Sequence, residues 1–282
     1  MKKIKFLMLT GLFYLLLLPS CDSKKIPEEN QVSFDSIKIA ETYHLFNDST
    51  KPNCNLSINF TFPIQYKDPE VLKAIQNIFV KGYFGDIYDQ KTPQEAVKFY
   101  KEEYLNNYKN LENNYEEELQ FRGLEEDDNP AYFSYYENSS NSIVFNKANI
   151  LTFTVDYNDY TGGAHGSHIL SAFVIDLESG VLLTEEDIFY ENSIDKISQL
   201  LLFKIMKENE VDSIKDLEYL GYDINAIIPN NNFVADEKGL TYYFNQYEIA
   251  PYVLGTIKVF LPYEEIGLYM QKEGPLALLA GV

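Results

Sequence analysis

Residues 157–168 (YNDYTGGAHGSH) hold the least ordinary side chains in the sequence: two of its three histidines, one aspartate and three glycines in twelve positions. His165 and His168 stand three apart with Asp156 and Asp159 close by, which raises the question of a metal. The spacing answers against one, because zinc sites of this kind place histidines at i and i+4 on a helix or add further Cys and His ligands. A calcium loop is excluded as well: Asp156 and Asn158 suit its first positions, but Tyr160 and Thr161 stand where an oxygen ligand and the obligatory glycine belong. Gly162, Gly163 and Gly166 are expected to supply positive φ angles or close backbone approach in a connection between strands. The remaining chemistry is general-base work by His165, or simple recognition.

The familiar catalytic signatures are missing. No Gly-x-Ser-x-Gly elbow, phosphate loop, dinucleotide fingerprint or His-Glu-x-x-His occurs. Carboxylate pairs such as Glu185/Glu186 and Glu264/Glu265 are expected by chance in a chain with 43 acidic residues, and they fit solvated faces better than acid and base roles.

The elements that must position residues 157–168 can be read from periodicity. Between Phe34 and Phe62 two strands flank a turn-rich segment, residues 47–53 (NDSTKPN), and so form a hairpin. Asp68 followed by Pro69 starts a helix expected to run to Gly82. Thr92, Pro93, Gln94 and Glu95 form a capping box, and behind it Phe99, Tyr100, Tyr104, Tyr108, Leu111 and Tyr115 mark the core face of one long helix ending near Gly123. Four consecutive acids at 125–128 then favour an exposed loop. From Ala131 to Leu183 strand-like runs alternate with Asn, Ser and Gly, and Leu177, Glu178, Ser179 and Gly180 read as a tight turn. Helical spacing returns over 194–206, with Ser193 as the cap, and more weakly over 214–220. Two strands then flank Glu237, Lys238 and Gly239, an aromatic loop covers 243–255, and a last strand covers 256–261. Strand runs followed by helix runs, without regular crossover helices, predict α+β: antiparallel sheets with helices packed on one side, in two consecutive subdomains at 32–130 and 131–282.

The front of the chain reads as an address. Lys2, Lys3 and Lys5 precede an apolar run over 6–18, too short for a transmembrane helix of about 20 residues, and then come Pro19, Ser20 and Cys21. Leu18-Pro19-Ser20-Cys21 resembles the lipobox of bacterial lipoproteins, which implies a signal peptide over 1–20 and a lipid on the Cys21 thiol. Residues 21–31 follow as a polar tether. Several acyl chains together would anchor stably. Only Cys54 then remains, so no intramolecular disulfide can form, and its place in an alternating apolar pattern predicts a buried structural thiol.

The precursor carries a formal charge of −20; loss of the three signal-peptide lysines leaves 20 basic against 43 acidic residues, or −23. That balance excludes nucleic acid, whose phosphates need clustered Lys and Arg, and suits a cationic partner. With 45% apolar and 15% aromatic residues the chain is rich enough for a packed core.

One resemblance draws these features together. Tyr160-Thr161-Gly162-Gly163-Ala164-His165-Gly166, then Asp176-Leu177-Glu178-Ser179-Gly180, then Tyr242-Tyr243-Phe244 and Tyr247-Glu248-Ile249-Ala250-Pro251-Tyr252, resemble the two-part extracytoplasmic module of RsiV-type anti-sigma factors and of some peptidoglycan deacetylases. The resemblance covers nearly all of the expected mature chain. It implies an α+β fold, a location in the cell envelope and, in the anti-sigma case, lysozyme binding. A cytoplasmic anti-sigma segment and a polysaccharide deacetylase domain are not part of the match, so neither that signalling nor that activity is expected.

The leading expectation is therefore a non-enzymatic, lipid-anchored binding module on the outer membrane, at its periplasmic or surface face. Its partner would be a lysozyme-like cationic protein or a peptidoglycan fragment, bound without cofactor or metal. The ligand-facing candidates are Tyr160, His165, Tyr243, Asn245, Gln246, Tyr247 and Tyr252, since Tyr and Asn join flat apolar area to hydrogen-bonding ends. An envelope hydrolase using His165 as base or metal ligand is the alternative, and a purely structural envelope protein the third.

Overall fold

The computed structural model describes residues 28–123, 125 and 130–282. The expected signal peptide, Cys21 and most of the tether lie outside the described residues, as does most of the acidic run. Among the described residues no helix is long and apolar enough to cross a membrane.

The chain opens with the expected hairpin, β1 (Ser33–His44) antiparallel to β2 (Asn53–Gln65). Alternation sets which way β2 faces: Cys54, Leu56, Ile58, Phe60 and Phe62 are buried while the residues between them turn outward. Before the hairpin, Asn30 bonds to Asn146 and to the carbonyl of Ile150, so the end of the expected tether is pinned to the main sheet rather than free.

Three helices follow. In α1 (Pro69–Phe84) the Asp68 carboxylate accepts from the backbone N–H of Glu70 and Val71, and Pro69 occupies the first turn. The helix does not stop at Gly82. A Cβ there would lie 2.9 Å from the Phe173 ring, so the glycine lets the helix lie close on the sheet, and Gly85 at φ +101° ends it instead. The Thr92–Glu95 capping box opens α2 (Pro93–Lys109) as expected. The single long helix expected here is two, because the chain bends at Asn110 and Leu111 before α3 (Glu112–Arg122). Glu112 explains the bend: its carboxylate at the start of α3 accepts from the Phe46 N–H at 2.7 Å and the Tyr43 hydroxyl at 3.0 Å. The buried stripe continues across it through Tyr108, Tyr115 and Leu119.

The chain then returns to the sheet as β3 (Tyr135–Lys147), which merges two expected short strands, followed by β4 (Ile150–Tyr160), β5 (Ser167–Asp176) and the two-residue β6 (Val181–Leu182). All six strands form one sheet in chain order. Every neighbouring pair is antiparallel except β2 and β3, which run parallel because α1 to α3 carry the chain back over the sheet between them. The sheet thus continues across residue 130.

The second part holds α4 (Glu185–Ile188), α5 (Ile194–Glu208) and α6 (Ile214–Tyr219), then a three-stranded antiparallel sheet of β7 (Phe233–Ala235), β8 (Gly239–Phe244) and β9 (Ile257–Pro262). Two short turns of helix, α7 (Tyr263–Ile266) and α8 (Ala277–Ala280), close the chain. Ser193 precedes α5 but its side chain makes no cap bond. The architecture is α+β.

Two cores meet at the sheet. On one face Leu151, Phe153, Val155 and Ile175 pack with α1 and α2, where Phe153 stacks between Phe79 at 3.9 Å and Phe173 at 4.7 Å. On the other, Ile150 and Val174 join a core built from α5 and the smaller sheet, while Leu170 and Ala172 pack on Val234 and Tyr243. β4 is accordingly buried on both faces from Ile150 to Phe153, and Thr152 donates to the Ala235 carbonyl of β7 at 2.9 Å.

Candidate functional site

The connection from β4 to β5 is tight because β4 and β5 pair up to Asp159 and Ser167. Gly166 makes the close approach: a Cβ there would sit 2.5 Å from the Asp159 carbonyl oxygen. Gly162 and Gly163 take φ of +83° and +123°. The loop this creates presents His165 to solvent, and the aromatic loop after β8 meets it.

His165 and Tyr252 stack at 4.0 Å between ring centroids and 28° between planes. Tyr247 lies 6.2 Å from His165 and 5.7 Å from Tyr252. Hydrogen bonds fix the group: Tyr252 donates to the Gly166 carbonyl at 2.9 Å, and the Tyr247 hydroxyl meets His165 Nε2 at 3.3 Å. His165 Nδ1 lies 2.9 Å from the Gly166 carbonyl, so with a proton on Nδ1 the imidazole donates there and accepts from Tyr247. Both ring nitrogens are thus engaged. Tyr247 adopts φ +68°, a left-handed conformation unfavourable for an aromatic residue, and it is 65% exposed. Directly after Tyr252 in the chain, Val253 and Leu254 are also exposed.

The other candidates sit around this cluster in different roles. Tyr160 donates to the Gly163 carbonyl and stacks on Tyr136, bracing the glycine-rich loop. Gln246 accepts from the His168 N–H at 3.2 Å. Asn245 accepts from the Leu170 N–H at 2.8 Å and donates to the Leu170 carbonyl at 3.1 Å, so its amide extends β5 as a strand would. Tyr243 is buried at the junction of the two sheets. His165 and His168 do not converge: His168 Nε2 lies 3.2 Å from Asp156 Oδ2, and Asp159 accepts from Ser167. Among the described residues no group of three His, Cys, Asp or Glu side chains is placed to hold a metal. Cys54 is buried, and burial pushes its thiol up to about 11.

A second constellation lies under α2. On β3 the positions facing the helices are Glu137, Ser139 and Asn141, all buried and each bonded. Glu137 accepts from Tyr100 at 2.7 Å and Tyr157 at 3.2 Å, Ser139 receives the Tyr83 hydroxyl, and the Asn141 amide bonds both backbone groups of Thr61. Burial raises the Glu137 carboxyl above its usual range, against the opposing effect of the two tyrosine hydroxyls. The aromatic stripe of α2, expected to be core, is therefore partly the wall of a cavity of about 460 Å³ that reaches this carboxylate. Period-two spacing of Tyr135, Glu137, Ser139 and Asn141 was the available signal. Its polar residues hid it, because a buried strand face is normally apolar.

Comparison with known proteins shows where this arrangement belongs. Residues 186–264 match the family described as "Protein of unknown function (DUF3298)", and residues 48–168 match the family described as "Deacetylase PdaC". A crystal structure of a DUF3298-family member from Bacteroides fragilis is 32% identical, with a TM-score of 0.82 over 89% of this chain and 98% of the other. The chain belongs to the DUF3298 family. A second DUF3298 protein, from Pseudomonas aeruginosa, shares the fold at 13% identity, with a TM-score of 0.58 over 86% of this chain and 96% of the other. Comparison with curated proteins gave no match. The two-part domain expected from the sequence is thus the DUF3298 arrangement, a domain of unknown function, and the His165 cluster joins a loop of the PdaC-matched segment to one of the DUF3298-matched segment.

Proposed function

We propose that this DUF3298 protein is a non-enzymatic binding module of the cell envelope, held to a membrane by lipid on Cys21, that docks a cationic protein of lysozyme type. The docking surface is His165, Tyr247 and Tyr252 with exposed Val253 and Leu254 beside them, Tyr160 and Gln246 at the margin, and Tyr243 and Asn245 as its support. One observation carries the reading: both His165 ring nitrogens are bonded within the cluster and its ring is covered by Tyr252, which favours a rigid contact surface over a free general base. Rigid aromatic side chains of this kind contribute contact area at low entropic cost. The charge of the chain supplies attraction to a basic partner.

The test is the association rate of purified lipid-free chain with lysozymes as salt rises. A rate that falls steeply and is weakened by Tyr247→Ala together with Tyr252→Ala is expected; a salt-insensitive rate overturns steering. Binding of peptidoglycan fragments but not lysozymes would move the reading to a glycan. Mass spectrometry of the native protein is expected to find acylated Cys21; an unmodified thiol at that position would remove the anchor.

The description "Deacetylase PdaC" favours a hydrolytic second reading, which for a protein expected in the envelope is a hydrolase acting on peptidoglycan or a related polysaccharide. Under it His165→Ala abolishes turnover of cell-wall substrate. Under the binding reading there is no turnover to lose.

A further inference from the structure

The cavity beneath α2 is separate from the His165 cluster and has its own chemistry. Glu137 at its base is 2% exposed, and the hydroxyls of Tyr100 and Tyr157 are its hydrogen-bond donors. At the rim Glu103 accepts from Tyr88 at 2.7 Å. The Tyr104 hydroxyl is buried and has no hydrogen-bond partner among the described residues. Aromatic rings form most of the remaining wall, and among the described residues no Lys, Arg or His lines the cavity.

Burying a carboxylate without a counter-charge is costly, and two neutral hydroxyls offset only part of that cost. The raised Glu137 carboxyl is the mark of the unmet remainder. Tyr104 lines the same cavity, and its covered phenol oxygen is an acceptor with no partner among the described residues. Carboxylates, a phenol oxygen and aromatic rings without a competing cation are the surroundings that a positively charged nitrogen prefers, through charge-assisted hydrogen bonds and attraction to ring faces.

We propose that this cavity binds an organic ammonium group, with Glu137 as counter-ion, the Tyr104 hydroxyl as acceptor, Glu103 at the entrance and the tyrosine rings as walls. A lysine-type side chain and an amino sugar present the same cationic nitrogen. The volume of about 460 Å³ exceeds an ammonium head alone and leaves room for the carbon frame that carries it. The site does not depend on the docking surface proposed above, since it shares none of its residues.

The experiment is calorimetric titration of the purified chain with n-butylammonium, Nα-acetyl-lysine amide and glucosamine, against the uncharged n-butanol, Nε-acetyl-lysine amide with a blocked α-amine, and N-acetylglucosamine. At least one charged probe is expected to bind about tenfold tighter than its neutral counterpart. Which of the lysine and glucosamine probes binds identifies the source of the amine. Glu137→Gln is expected to abolish the preference for charge, and Tyr104→Phe, which keeps the ring, to weaken it even if Glu137→Gln does not fold. Binding is also expected to strengthen as pH rises through the range in which Glu137 ionises, read from titrations at a series of pH values. Equal binding of charged and neutral probes, or no binding of any charged probe, overturns the proposal.

Discussion

The His165 cluster and the Glu137 cavity are built from the same residue types in opposite ways. At the cluster, aromatic rings stand in solvent and are held by short-range bonds to loop backbone, Tyr252 to Gly166 and Tyr247 to His165. At the cavity, aromatic hydroxyls point inward and are held by a buried carboxylate that belongs to the sheet. Loss of a ring at the first site should cost recognition and little stability. A change at the second disturbs the core around it.

Substitutions can sharpen or break that contrast. The largest effect is expected in the core behind the cavity, where Phe153→Ala removes a ring stacked on both sides and should lower unfolding free energy by about 3–5 kcal/mol in urea titration. Asn245→Ala should cost about 1–3 kcal/mol, because it removes the partner of the Leu170 N–H and leaves the Leu170 carbonyl with the Asn232 amide alone. A loss near zero would return Asn245 to the docking surface.

The pH dependence of Glu137 is smaller and has a defined sign. Its folded-state carboxyl is raised, so the native protein holds that proton more tightly than the unfolded chain. Its contribution is therefore fully present below the ordinary carboxylate range and is lost as pH rises through the raised value. Glu137→Gln should make stability fall less on going from acid to neutral pH than in the parent. A steeper fall would mean that the carboxylate is stabilised rather than strained. The smallest effect belongs to Tyr247→Gly, which removes a left-handed aromatic residue and should leave stability within about 1 kcal/mol of the parent while weakening partner association. Equal binding by that variant would erase the distinction between the two sites.

Much of the fold was legible in sequence because its signals are local. Asp68 with Pro69, and Thr92 with Glu95, announce their helices through caps that need no distant partner. Alternation in β2 gives a buried face directly. The parallel pairing of β2 with β3 left no comparable trace, since it depends on how three helices return the chain. The break between α2 and α3 was likewise hidden in bonds from Tyr43 and Phe46 to Glu112. At the sites the division is similar. The glycines and histidines of 157–168 mark themselves as unusual, whereas Glu137 becomes visible only when Tyr100 and Tyr157 arrive from other elements.

Strand β5 has a consequence for how the protein can be divided. Phe173 and Ile175 face the helices of the first part while Leu170, Ala172 and Val174 face the second, and the strand lies across the gap between the two matched segments. A cut between those segments strips one half of its closing strand or the other of its floor, and leaves bare backbone that recruits neighbouring chains. Fragments made at that boundary would be sticky rather than modular, so the whole length must be exchanged, expressed or inherited together.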